Sequence, residues 1–120
     1  MKRRVTVEID LKALVRNYRK IVAHVRPMKV LCVMKANAYG LGVAAYARAL
    51  SDAGCENFGV AEPHEALELI RVLSAASPSV QILSSVLPDE IPEMVRAGVV
   101  LPVTDLEGAR LISAAAVKAK

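Results

Sequence analysis

The 120-residue chain predicts an α/β fold in which the strands of a parallel sheet alternate with helices. Three observations carry this. Short, mostly apolar runs recur at 30–34, 57–61, 80–84 and 99–103, each too brief for a buried helix. Each is followed by a segment whose apolar residues fall at helical spacing, and Gly or Pro marks most of the joins. Hydrophobic residues make up 54% of the chain and mean hydropathy is +0.37, which is enough apolar material for a core.

The first element is a helix from Asp10 to about Val25. Leu11, Leu14, Val15, Tyr18, Ile21 and Val22 form its apolar face, Lys12, Arg16, Asn17, Arg19 and Lys20 lie opposite, and Asp10 is placed to cap it. Pro27 stops it. Val30-Leu31-Cys32-Val33-Met34 then reads as a fully buried strand, and a second helix from Val43 to Ala53 ends at Gly54. Asn57 to Ala61 is the next strand, and Pro63 opens a helix with Ala66, Leu69, Ile70 and Leu73 on one face. Val80 to Ser84 is a third strand, followed by a helix from Asp89 to Ala97 that tolerates Pro92 in its first turn and stops at Gly98. Val99 to Val103 is a fourth strand, and Thr104-Asp105-Leu106-Glu107 matches a capping box opening the last helix. Four βα units preceded by an amphipathic helix fit both an open flavodoxin-like sheet and half of an eight-stranded barrel. Periodicity alone does not separate the two.

Bulk properties narrow the function. No apolar stretch reaches the roughly 18 residues of a membrane span, because Lys29, Lys35 and Pro102 interrupt the best candidates. The basic start Met1-Lys2-Arg3-Arg4 leads into Val5-Thr6-Val7-Glu8-Ile9-Asp10, which alternates and carries two acids, so a cytoplasmic location is expected rather than export. The net charge of +4 is scattered, with one Phe and no Trp, and this points to a solvated surface and away from nucleic acid. Cys32 and Cys55 do not form a CxxC pair and are too few for a metal cluster, so reduced, packed thiols and no metal are expected.

Lys35 stands out. It puts a primary amine at the carboxyl end of the first strand, the edge where ligands of α/β folds bind, and the loop Ala36-Asn37-Ala38-Tyr39-Gly40-Leu41-Gly42 follows at once. Gly40-Leu41-Gly42 lacks the spacing of a phosphate cradle and reads as turn chemistry. Val33, two residues before Lys35, shares its strand face, where it packs in the core or meets a ligand. Glu62 and His64 flank Pro63 near the same edge and are read as capping or solvated groups; Glu65 is read as structural.

The stretch from Val33 to Gly42 resembles the pyridoxal-phosphate lysine signature of the alanine racemase family, of fold type III. The likeness continues through Val7-Glu8-Ile9-Asp10-Leu11, Ala13-Leu14, Asn17, Gly59-Val60-Ala61 and Glu65-Ala66, and so covers most of residues 5–87. Residues 88–120 fit through their βα pattern only. The family commonly has His between the two glycines, where this chain has Leu41. The resemblance implies the N-terminal half of a (β/α)8 TIM-like barrel, with residues 1–120 forming an incomplete part of a pyridoxal-phosphate-binding domain.

The resemblance also implies a chemistry. Pyridoxal 5'-phosphate needs a primary amine for its resting Schiff base, which makes Lys35 the catalytic and cofactor-binding residue. Tyr39 matches the family tyrosine that helps hold the cofactor phosphate, as a neutral donor. The implied reaction is interconversion of L-alanine and D-alanine, supplying D-alanine for peptidoglycan, in a homodimer whose partner subunit contributes a second catalytic tyrosine. Tyr18, Tyr39 and Tyr46 do not match that tyrosine. Half a barrel leaves two strand edges open, so the isolated chain is expected to self-associate and to turn over little or no alanine. Two other readings stay open: another fold type III protein, such as an amino-acid decarboxylase or a different racemase, and a non-catalytic pyridoxal-phosphate carrier.

Overall fold

The computed structural model describes residues 5–120, so the basic start at residues 1–4 lies outside the described residues. Helix α1 spans Leu11–Val25, and the Asp10 carboxylate accepts the Ala13 N–H at 3.0 Å, the cap expected of that aspartate. Strand β1 is Cys32–Val33 and is followed by a helical turn, α2, at Lys35–Tyr39. Then come α3 (Val43–Asp52), β2 (Asn57–Val60), α4 (Pro63–Val72), β3 (Ser79–Ile82), α5 (Ile91–Arg96) and α6 (Leu106–Lys118). Among the described residues no helix is long and apolar enough to cross a membrane.

All strand pairs are parallel, in the spatial order β1-β2-β3. Register aligns Cys32 with Phe58 and Phe58 with Val80, and sets Val60 beside Ile82. These residues share one face. Phe58, Val60, Val80 and Ile82 are fully buried there with Val43, Ala47 and Leu50 of α3, Ala66 and Leu69 of α4, and Met94 of α5. Burying each large apolar side chain stabilises the fold by roughly 1.5–3 kcal/mol, so this single layer holds the sheet to its helices.

Two features separate the barrel from the open sheet. A flavodoxin-like sheet places its first strand between others, whereas here the order follows the chain without reversal, as in a (β/α)8 barrel. The second face of the sheet is bare. Leu31 and Leu83 on that face remain 37% and 45% exposed, and a Cβ on Gly59 between them would lie 3.2 Å from Leu31 Cδ2 and 3.0 Å from Leu83 Cδ1. An open sheet would cover this face with helices; in a barrel it lines the interior.

The fourth expected strand, 99–103, is reduced to one parallel bridge between Gln81 and Val100. The Val100 N–H reaches the Val80 carbonyl at 2.8 Å, and the Ile82 N–H reaches the Val100 carbonyl at 3.0 Å. Pro102 has no N–H to extend the ladder. The position continues the order β1-β2-β3, so the fourth unit is present with a shorter strand than its sequence suggests. The last helix also differs at its start: its cap is Asp105, whose carboxylate accepts the Gly108 N–H at 2.6 Å, rather than Thr104. A carboxylate is the stronger acceptor for a helix N-terminus.

Candidate active site at the carboxyl edge of the sheet

The ends of β1 and β2 meet where the strand ladder runs out. The Met34 N–H still bonds to the Gly59 carbonyl at 2.7 Å, and Met34 is buried, but the next residue, Lys35, is exposed. No carboxylate lies within 4.0 Å of the Lys35 ammonium among the described residues, where the single ion pair joins Arg16 to Asp10. An amine without a permanent counter-ion at a strand end is available for chemistry.

The chain turns here in an uncommon way. Ala36, Asn37, Ala38 and Tyr39 have φ of 52, 54, 53 and 56°, four successive residues in the left-handed region, and Gly40 and Gly42 follow at 81 and 98°. A left-handed conformation costs an L-residue roughly 1–2 kcal/mol, so such a run persists only where its surroundings hold it. Three ties do so. Ala38 is buried in the core. The Asn37 Oδ1 accepts the Val43 N–H at 2.8 Å, satisfying one of the unpaired amides at the start of α3. The Ala36 N–H, which has no strand partner, donates to Glu65 Oε1 at 2.6 Å.

Glu65 joins the strand ends. Its Oε2 accepts the Ala61 N–H at 2.9 Å and the Glu62 N–H at 3.0 Å, the second being half of a capping box at the start of α4. Burial alone would raise its pKa, yet the three N–H donors of Ala36, Glu62 and Ala61, with His64 nearby, outweigh burial and hold the carboxyl below the usual glutamate value. The carbonyl of Ala61 in turn accepts from the Ser84 hydroxyl, just past β3. One connected chain of hydrogen bonds thus spans the carboxyl ends of all three strands.

Lys35 and Tyr39, the two site residues named from the sequence, lie at opposite ends of this left-handed turn, and Tyr39 is 61% exposed. Glu62 and His64 are exposed at the start of α4, and His64 makes no side-chain hydrogen bond among the described residues. Asn37 and Ser84 have roles in placing the site that sequence reading missed, while Glu65, read as structural, also reaches across to the turn. Glu62-Pro63-His64-Glu65 at a helix start does carry the local half of the Glu65 signal, because an acid three residues past the cap reaches back to the cap amide. The longer reach to Ala36 has no local signature.

The two cysteines, distant in sequence, are adjacent in space behind β1. Both are free thiols. The Cys55 thiol donates to the Asn57 carbonyl at 3.3 Å, and interaction between the two neighbouring sulfurs pushes Cys32 up and, against the effect of burial, brings Cys55 down to about 7. Burial first, and then Cys55, pushes the Tyr18 phenol up to about 12. That leaves Tyr18, on α1, a neutral group beside the two thiols.

With this geometry in hand, the likeness to known proteins is specific. A family model described as the alanine racemase N-terminal domain matches residues 9–120. Over 84 residues the chain is 43% identical to alanine racemase 3 of Salmonella typhi, covering 70% of this chain and 23% of that protein. Over 108 residues it is 40% identical to a catabolic alanine racemase of Rhizobium johnstonii, covering 90% of this chain and 28% of that one. A crystal structure of alanine racemase from Bartonella henselae with covalently bound pyridoxal phosphate superposes with a TM-score of 0.79 at 35% identity, over 85% of this chain and 28% of that one. The chain thus spans about a quarter of the length of these relatives. Sheet order, bare inner face and family match agree, and the chain belongs to the alanine racemase N-terminal domain family.

Proposed function

We propose that residues 1–120 are the part of a pyridoxal-phosphate-dependent alanine racemase that carries its cofactor lysine, Lys35, in a protein that interconverts L-alanine and D-alanine and so supplies D-alanine for peptidoglycan. The observation that supports this most directly is the exposed amine without an acid partner, held at the carboxyl end of β1 by a turn whose every residue from 36 to 39 is left-handed. The donor set fits the cofactor: a primary amine to hold an aldehyde carbon, and a phenol at the other end of the turn to donate to a phosphate oxygen.

Pyridoxal phosphate, when bound, withdraws electrons from the α-carbon of an amino acid and lowers the barrier to proton removal there. Lys35 holds the cofactor covalently at rest. The same Nζ, when not bound to the cofactor, would act as the base that removes or returns a proton on one face of the α-carbon. Tyr39 orients the phosphate through its phenolic O–H. The bare sheet face around Leu31, Val33 and Leu83 keeps water from the site once the barrel interior is enclosed. Racemisation needs a second proton-transfer group on the opposite face, and we assign that group to a tyrosine of a partner subunit in a homodimer.

Borohydride trapping tests the proposal. Incubated with pyridoxal phosphate and reduced, the chain should gain a pyridoxyl label on the peptide containing Lys35, and Lys35→Ala should abolish it. Label spread over surface lysines, with Lys35 unmodified, would overturn the assignment. Tyr39→Phe should still be labelled but bind the cofactor more weakly, by about 1.5–3 kcal/mol for one hydrogen bond to a charged phosphate.

A further inference from the structure

We infer that Glu65 is a positioning residue for Lys35: its carboxylate clamps the Lys35-Ala36 peptide to the end of β2 and thereby fixes where the reactive amine starts. This rests on the reading of Lys35 as the cofactor lysine. The N–H that Glu65 Oε1 accepts, at 2.6 Å, belongs to the peptide group whose carbonyl is that of Lys35. Holding that peptide plane sets the direction in which the lysine backbone leaves β1, and so the origin of its side chain.

The clamp is built from both ends. Oε2 is anchored on Ala61 and Glu62, at the end of β2 and the start of α4, elements packed into the core through Phe58, Val60, Ala66 and Leu69. The carboxylate therefore transmits a rigid position to the first residue of a turn whose own conformational preference opposes it. Its lone pairs are committed to three backbone amides, and Glu65 and Lys35 form no ion pair among the described residues. Glu65 thus reaches the lysine through its backbone and not through an ion pair with its amine. A local cap needs only the Glu62 amide; the bond across 29 residues to Ala36 is extra, and it reaches one of the two peptides that flank Lys35.

Two variants of the full chain separate the clamp from ordinary capping. Glu65→Asp keeps the charge and the local amides within reach but is one methylene too short for Ala36; Glu65→Gln keeps the length but presents an N–H₂ to one side of the clamp. In both, amide exchange at Ala36 should rise about tenfold, while borohydride labelling of Lys35 at saturating pyridoxal phosphate should slow about fivefold or more. The thermal midpoint should stay close to wild type in Glu65→Asp. Labelling at the wild-type rate in a folded variant whose Ala36 amide exchanges faster would overturn the inference, as would an Ala36 amide that exchanges no faster in either variant. A wild-type chain that takes no label at Lys35 refutes the cofactor reading instead, and the Ala36 exchange then decides whether the clamp exists.

Discussion

The turn after β1 and the segment after β3 leave the same edge of the same sheet, yet they are held by different kinds of contact. At the turn and the strand ends beside it, Glu65 reaches Ala36 and Ser84 reaches Ala61 across 29 and 23 residues, and Asn37 takes the first amide of α3 six residues on. Beyond Ser84, every side-chain hydrogen bond among the described residues joins neighbours one to three positions apart. Burial changes only at the last helix: α3, α4 and α5 all place residues in the core, whereas α6 contributes no buried residue and leaves Leu106 and Val117 exposed while it packs beside α5. The amine proposed as catalytic needs a fixed origin, and the long-range bonds lie beside that origin. The later segment is an ordinary βα unit whose last helix stays largely exposed.

The sharpest way to break this contrast is through the core. Phe58→Ala, at a fully buried site under the turn, should destabilise the chain by about 3–5 kcal/mol in urea denaturation, whereas Leu111→Ala on α6 should cost less than about 1.5 kcal/mol. Equal losses would mean that the two regions are one evenly supported layer. Next come the helix starts. Asn37→Ala and Asp105→Ala each remove one acceptor from a helix N-terminus and should each cost about 1 kcal/mol. Only Asn37→Ala should also slow the labelling of Lys35, because only that cap doubles as a tie on the turn.

Acid titration gives a smaller effect with a defined sign. Glu65 is held below the ordinary glutamate value of 4.5, so its contribution is complete above that value and is lost as the pH falls through the lower, folded-state one. Stability should therefore fall with pH across that window, and the fall should be shallower in Glu65→Gln; identical slopes would show that the carboxylate is not engaged. The smallest effect concerns the thiols behind β1. Although its interaction with Cys32 brings Cys55 down to about 7 against the effect of burial, Cys55 is only 3% exposed. Iodoacetamide at pH 8 should leave it largely unmodified until the chain is unfolded, and rapid labelling in the native state would place it outside the core.

Much of this architecture is legible from residue order. Apolar period distinguishes α1, α3 and α4 from the strands, and Asp10, Pro63 and Gly54 mark boundaries that the structure keeps, because capping, Pro at a first turn and glycine at a helix end depend only on residues within one turn. The misses also have local causes. Val99 to Val103 looks like a strand by composition, but pairing stops at Val100 with Pro102 two residues on. Thr104 fits the capping pattern, but the neighbouring aspartate takes the place because its carboxylate reaches the Gly108 amide.

What the sequence determines by itself, then, is the alternation of strands and helices and the placing of an amine at the end of the first strand, since both follow from spacing along the chain. Only the tertiary structure decides that the sheet runs in chain order with one bare face, that Cys32 meets Cys55, and that Glu65 reaches Ala36. Each of these depends on the register of one strand against the next. A parallel crossover brings together residues some 20 to 30 positions apart, and no periodicity within a single element records which of them will touch.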